Sequence, residues 1–365
     1  MKNRDKRDEL LLLAAVSGEI PADWIGWAAG SESYGAALLT RLKKDGEMKL
    51  RSKDGLRGYL LRAKAKRYLL ETYGKDTESF LTGSAATNHV KSEPEKRLRL
   101  HRMSMVWIYF YRMEIAVFAS DKPPIYPALH LVPSDKTKPD KDWLGAYYGT
   151  AEWKLETDQE ISGSRACGIL MADEAYVVYN TMDSLMKWTT KIERNLKGRL
   201  ELRFRRYGKV RLRGAVMLGT DMGMVKRILE SDGGIKGNLY RVDEIYETMY
   251  YIPLQKEAEI QVRLLCHAEA REKLHSFLCG VLAEVREGGF GLEEGKDTKG
   301  RRVYFCYLLE LRQLKRIREQ QAFTGGRVFC FTYQAQVLSE ILGDRFEIEA
   351  LRPEKVYRYL GWKEH

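Results

Sequence analysis

Residues Arg41–Arg67 read RLKKDGEMKLRSKDGLRGYLLRAKAKR, and this stretch decides how the N-terminal part of the chain is read. Leu38, Leu39 and Leu42 close a helical pattern at its start. Met48-Lys49-Leu50-Arg51 alternates apolar and charged residues, as a half-buried strand does. Asp54-Gly55 is a two-residue hairpin signal, because both central positions of that turn need φ > 0. Leu56–Leu61 returns as the second strand, and a short basic helix follows with Ala63, Leu69 and Leu70 on its apolar side. Eleven Lys/Arg stand against three Asp/Glu here, a net charge of +8 in 27 residues, where the whole chain carries +11.

Working outward, Asp8–Val16 reads as an apolar helix with Leu10, Leu11, Leu13 and Ala14 inward. Pro21 opens a second helical pattern through Trp24, Ile25 and Trp27. Gly30-Ser31 is a turn, with Ser31 or Ser33 as the N-cap of a third helix over Tyr34–Lys44. Three short helices and a hairpin spell a winged helix-turn-helix over residues 1–75. In that geometry the third helix enters the major groove of double-stranded DNA and the wing lies along the backbone. The expected DNA-facing residues are Ser33, Tyr34, Ala37, Arg41 and Lys44 on the helix, and Lys49, Arg51, Lys53 and Arg57 on the wing.

The remaining 290 or so residues leave room for at least one more domain. Hydrophobic content of 44% permits a sizeable core, and 31% charged residues with a pI near 9.2 point to a polyanionic partner. Five scattered cysteines, none in a C-x-x-C pair, signal neither a disulfide framework nor a zinc site. The charged start Met1-Lys-Asn-Arg is unlike a signal peptide. The most apolar later run, Met103–Phe118, is short for a membrane span and interrupted by Arg112 and Glu114. A soluble, cytoplasmic protein without membrane insertion is expected.

Residues 76–142 read as a connector: a polar linker Asp76–Lys96, a long helix Arg97–Ala119, and a loop over Asp121–Lys141 holding Pro123, Pro124, Pro127, Pro133 and Pro139. Residues 143–365 alternate, which argues for an α/β domain with a mixed sheet. Strands are expected at Ser164–Met171, Ala175–Tyr179, Val210–Leu218, Ile260–Cys266, Val303–Leu309 and Val328–Tyr333. Helices are expected at Asp183–Lys197, Met222–Leu229, Ala270–Leu282, Leu314–Gln321, Ala335–Leu342 and Glu354–Leu360. A second basic block, Lys187–Arg213, carries eleven Lys/Arg against two Asp/Glu, a net +9. Spacing places Lys187, Lys191 and Arg194 on one helix face, with Arg203, Arg205, Arg211 and Arg213 alternating along strand-like segments. The two blocks together suggest a continuous phosphate-binding surface.

Signature motifs for nucleotide binding and serine hydrolysis are missing, as is any H-x-H or H-E-x-x-H among the six histidines. Asp173, Glu174 and Asp183 flank the first two strands of the α/β half. They are the one acidic set placed where a metal nuclease would want carboxylates.

The order of winged helix, linker, long helix and ββα segment resembles the replication-relaxation family of plasmid and conjugative-element proteins, itself similar to the C-type mobilisation relaxases. The resemblance implies a restriction-endonuclease-like domain of the PD-(D/E)xK kind after the winged helix. Its first strand would end in Pro-Asp-Gly, its second would carry Glu-x-Asp, and its helix a lysine. Here Ala166-Cys167-Gly168 stands in the first place and Val178-Tyr179-Asn180 in the second, while Lys191 fits the helix lysine. Hard divalent cations want charged oxygen ligands, and neither valine nor asparagine supplies one. The expectation is therefore a DNA-binding protein of a mobile genetic element, acting in replication, transfer initiation or regulation. Its α/β domain would add backbone contacts or form a homodimer, and no catalytic residue or cofactor would be needed. The alternatives are a divergent Mg²⁺-dependent nickase using Asp173, Glu174, Asp183 and Lys191, and an interaction module without a DNA role.

Overall fold

Helix α1 (Lys6–Ser17) starts at Asp5, whose carboxylate accepts the Asp8 amide at 2.8 Å and satisfies one of the free donors of the first turn. From Leu10 onward it is enclosed on all sides, so Leu12 is as buried as the Leu10, Leu11 and Leu13 that the pattern assigned inward. The short strand β1 (Ile20–Pro21) leads to α2 (Ile25–Ala29) and α3 (Glu32–Lys44). Gly30, at φ 98°, makes the turn between these helices. Gly35 lets α3 approach α2 closely: a Cβ there would lie 3.0 Å from the Ile25 carbonyl oxygen. Strands β2 (Met48–Lys53) and β3 (Leu56–Leu61) pair antiparallel, Met48 opposite Leu61 and Lys53 opposite Leu56. Asp54 (φ 55°) and Gly55 (φ 73°) close the hairpin with the left-handed pair that its sequence asks for. Strand β1 adds to β3, giving the order β1-β3-β2.

The structure is a computed structural model that describes residues 4–126, 143–154, 163–207, 210–286, 292–321 and 324–363. It is a mixed α/β protein of two compact units, Met1–Glu156 with Cys167–Leu170, and Thr157–Ala166 with Met171–His365.

Downstream of the hairpin, α4 (Ala63–Leu81) runs into the start of the expected linker, and α5 (Pro94–Arg112) takes the place of the expected long helix. Asp76, taken as the first residue of a linker, is buried; it accepts from Arg4 Nη2 at 3.0 Å and from the Ser120 amide at 2.7 Å. At Asp76 the polar residue misleads because it is paired inside the first unit, whereas 82–93 form neither helix nor strand, as a linker would. Helix α5 stops at Arg112 rather than Ala119, since Glu114 takes φ 58° and sends the chain into β4 (Ile115–Ala116). This strand runs parallel to β5 (Gly145–Gly149), which is followed by α6 (Thr150–Trp153). Lys122 is buried there, donating to the Val117 carbonyl at 2.8 Å and pairing with Glu152 at 2.8 Å. Burial pushes the ammonium down and the carboxyl up, each opposed by the charge of the other. Pro127, Pro133 and Pro139 lie outside the described residues.

Strand β6 (Gly168–Met171) begins four residues later than expected. In the second unit, β7 (Ala175–Met182) is followed by α7 (Thr190–Tyr207), β8 (Leu212–Gly219), α8 (Gly223–Glu230) and β9 (Met249–Pro253). The three strands are parallel neighbours, with Val178 opposite Val216 and Val216 opposite Tyr250. Then come α9 (Glu259–Cys266), α10 (Ala268–Cys279), β10 (Glu284–Val285), β11 (Gly295–Lys296), β12 (Arg302–Phe305), α11 (Leu311–Gln320), β13 (Gly326–Phe331), α12 (Ala335–Leu342), β14 (Phe346–Leu351) and α13 (Pro353–Leu360). Strands β10 to β14 lie side by side in chain order, antiparallel up to β12 and parallel after it. Ile260, Leu264, Leu274, Leu278, Val303, Phe329 and Phe331 share one core.

Two expectations for this unit are corrected. Ile260–Cys266 is not a strand but most of α9, whose residues are all buried. A helix covered all round loses the 3.6-residue alternation that distinguishes it from a buried strand. The helix expected over Asp183–Lys197 begins only at Thr190 and runs to Tyr207. The segment before it is held extended by the 238–240 loop, with the Trp188 amide on the Asn238 carbonyl at 2.7 Å and the Tyr240 amide on the Met186 carbonyl at 2.9 Å.

Candidate nucleic-acid interface

Helix α3 is amphipathic in the sense its spacing demands. Ser31 caps it, its hydroxyl accepting the Tyr34 amide at 3.3 Å. Gly35, Leu38, Leu39 and Leu42 face inward, while Ser33, Tyr34, Ala37, Arg41 and Lys44 are all exposed. Tyr34 keeps 46% of its surface open to solvent. Arg41, Lys43 and Lys44 crowd the last turn, where the helix dipole favours cations. Arg41 pairs with Asp45 only at 3.6 Å, both side chains exposed, so little free energy holds the guanidinium there. Lys64 at the start of α4 donates to the Asp45 carbonyl at 3.0 Å and so sits beside the end of α3. Lys43, Arg62, Lys64 and Arg67 are exposed cations of the same stretch that the sequence reading did not single out. The signal that could have found them is the charge run itself.

On the hairpin, Lys49, Lys53 and Arg57 are exposed as expected. Arg51 is not: it is half-buried, and its guanidinium donates to the Lys91 carbonyl. It braces the strand instead of facing outward. Lys66 is likewise turned inward, donating to the Asn88 side chain at 3.0 Å, and burial together with the charge of Lys49 lowers its pKa.

Behind the hairpin lies a fully buried ion pair. Arg97 of α5 meets Glu19 through Nε (3.2 Å) and Nη2 (2.5 Å), and His101 Nε2 lies 3.0 Å from the same carboxylate. Arg97 Nη1 also donates to the Lys53 carbonyl at 2.8 Å, and Nη2 to the Leu56 carbonyl at 3.3 Å. Burial alone pushes the Glu19 carboxyl up, but the hydrogen bonds from His101 and Arg97 outweigh it and hold it at about 2. Gly58 makes room for this group: a Cβ there would lie 2.4 Å from Glu19 Oε1 and 2.8 Å from His101 Nε2.

The second basic block lies in the second unit and is less open than its +9 suggests. Lys187 precedes α7 and bridges to Leu239, so it does not share a helix face with Lys191 and Arg194; all three are nonetheless exposed. Arg203 and Arg205 lie on α7, not on a strand. Arg203 is buried, which removes it from any phosphate-facing set, while Arg205 is exposed. Arg211 and Arg213 both pair with Glu247, at 3.3 and 3.0 Å. Together with Lys197, Glu201 and Arg205 these residues line a cleft of about 420 Å³.

The acidic set does not converge. Asp173 and Glu174 precede β7 and Asp183 follows it; the seven steps along its eight residues, at ~3.3 Å each, put its two ends about 23 Å apart. Asp173 caps α10, accepting the Ala268 amide at 2.9 Å. Glu174 accepts from Tyr176 and Arg271, both at 2.7 Å, and these bonds outweigh burial to lower its pKa. Asp183 and Lys191 are exposed at separate places. Of the positions where the resemblance implies acids, Val178 is buried and the Asn180 side chain accepts the Met182 amide at 2.9 Å. Ser164 and Arg165 form no strand; they are held by Glu193, at 2.9 and 3.0 Å. Among the described residues no three His, Cys, Asp or Glu side chains come together as a metal set, and no helix is long and apolar enough to cross a membrane.

No family model matches the chain, and neither the curated proteins nor the solved structures include a significant match.

Proposed function

We propose that this chain is a DNA-binding protein whose first unit begins with a winged helix-turn-helix over residues 1–75, with α3 as the reading helix and the β2–β3 hairpin as the wing. The carrying observation is the solvent-facing row Ser33, Tyr34, Ala37, Arg41 and Lys44 on a helix whose opposite face is buried, together with the exposed Lys49, Lys53 and Arg57 of the hairpin. A major groove admits an α-helix, and phosphates reward exposed cations that hold no strong partner of their own. The second unit, proposed as a nuclease-like domain without its acids, would add backbone contacts through Lys187, Lys191, Arg194 and Arg205. The resemblance to the replication-relaxation family supports a place in plasmid or conjugative-element replication, transfer initiation or its regulation.

The test is an electrophoretic shift with linear and supercoiled duplex DNA, with and without Mg²⁺. The expected result is a salt-sensitive shift on both DNAs and no nicking dependent on the metal. A duplex that does not shift at low salt overturns the reading. Nicking that needs Mg²⁺ and disappears in Asp173→Ala or Asp183→Ala would replace it with a nickase.

A further inference from the structure

We propose that Arg97 is a positioning residue for DNA binding: it fixes the tip of the hairpin, and so presents Lys53 and Arg57, without itself touching DNA. This rests on the DNA-binding reading above. The two-residue turn Asp54-Gly55 is closed by the pair Lys53 and Leu56. The carbonyls of both receive hydrogen bonds from one guanidinium, at 2.8 and 3.3 Å. That guanidinium is in turn locked on Glu19 by two bonds, and Glu19 is held by His101. Arg97 and Glu19 are both fully buried. The tip is therefore tied at both ends to α5, a helix more than forty residues further along the chain.

The arrangement answers a physical need. A hairpin with exposed cations close together at its tip repels itself, and a mobile tip would have to be ordered when it binds. The guanidinium's donors lie in one fixed plane, so a single group grips the carboxylate through Nε and Nη2 while Nη1 and Nη2 reach the two carbonyls; a lysine ammonium has no such fork to set that geometry. Gly58 belongs to the device, because any side chain there would displace Glu19.

The experiment uses the full chain and the variant Arg97→Lys, which keeps the charge and loses the fork. Hydrogen exchange of the amides of residues 52–58 is measured without DNA. Duplex affinity is measured in the wild type, in Arg97→Lys, in Lys53→Ala/Arg57→Ala, and in the triple variant. Exchange at the tip should quicken in Arg97→Lys, and binding should weaken about tenfold, the equivalent of ordering one or two side chains. In the Lys53→Ala/Arg57→Ala background the same change should cost almost nothing. Unchanged exchange, or an equal loss of binding in both backgrounds, overturns the proposal. A wild type that binds no duplex overturns the DNA reading and this role with it, whereas normal wild-type binding with unchanged exchange overturns the role alone. Should Arg97→Lys lose its near-ultraviolet dichroism, Glu19→Gln, which keeps the shape and loosens the hold on Arg97, takes its place with the same outcomes.

Discussion

Glu19 is the carboxylate at the centre of the buried charge cluster behind the hairpin. Its carboxyl is held at about 2 against an ordinary 4.5. A difference of that size corresponds to about 3 kcal/mol. Because the folded value is depressed, this stabilisation is present above the ordinary carboxylate range and is lost as pH falls from 4.5 toward 2. Urea denaturation should show Glu19→Gln well below the wild type at pH 6, the two curves converging near the acid end; parallel curves would refute the assignment. Gly58→Ala tests the same group from its other side. The added methyl meets Glu19 and His101 at distances no Cβ tolerates, so the variant should lose about 1–3 kcal/mol of stability. A neutral effect would mean that the segment shifts more freely than its hydrogen bonds imply.

Among the elements, α3 and the hairpin take different roles in the proposed DNA binding. Contacts in the groove specify and contacts to the backbone position. Arg41→Ala with Lys44→Ala should therefore weaken binding to a selected site more than to random duplex, by about 1–3 kcal/mol per lost base contact. Lys53→Ala should weaken both alike. Equal losses on the two DNAs in the double variant would remove α3 from the role of reader. In the second unit, Asp173→Ala should destabilise by about 1 kcal/mol through the lost cap of α10; denaturant midpoints with and without the substitution measure it. Legibility differed between these elements for a physical reason. Helix α3 has one wet face and one dry face, so its sequence carries its geometry. Helix α9 is dry all round, and its Ile260, Val262 and Leu264 fit a strand equally well until the packing is known.

For the whole molecule, the measurable quantity is the salt dependence. Six phosphate contacts would give a slope of roughly −5 in log K against log salt. A slope near zero between low and moderate salt would leave the +11 net charge as surface solvation only. The second basic block tempers the expectation, since Arg203 is buried and Arg211 and Arg213 answer to Glu247. Formal charge counts every cation in a run; affinity counts only those that can exchange a weak partner for a phosphate.

What the sequence determined by itself was whatever is settled within a few residues. The Asp54-Gly55 turn, the register of the hairpin, the cap and stripe of α3, and the exposure of Ser33, Tyr34, Arg41 and Lys44 follow from local backbone preference and periodicity, whereas on β2 the expected alternation fails, with Leu50 exposed and Arg51 half-buried. Only the tertiary structure decided the fate of the other charges. Arg51 turned to the Lys91 carbonyl, Asp76 to Arg4 and Ser120, Arg97 to Glu19 and the turn, and Asp173 to the start of α10. Each of those partners lies forty or more residues away in the chain. A charged side chain is buried only where such a partner offsets the cost of leaving water, and no local pattern records whether one will be there.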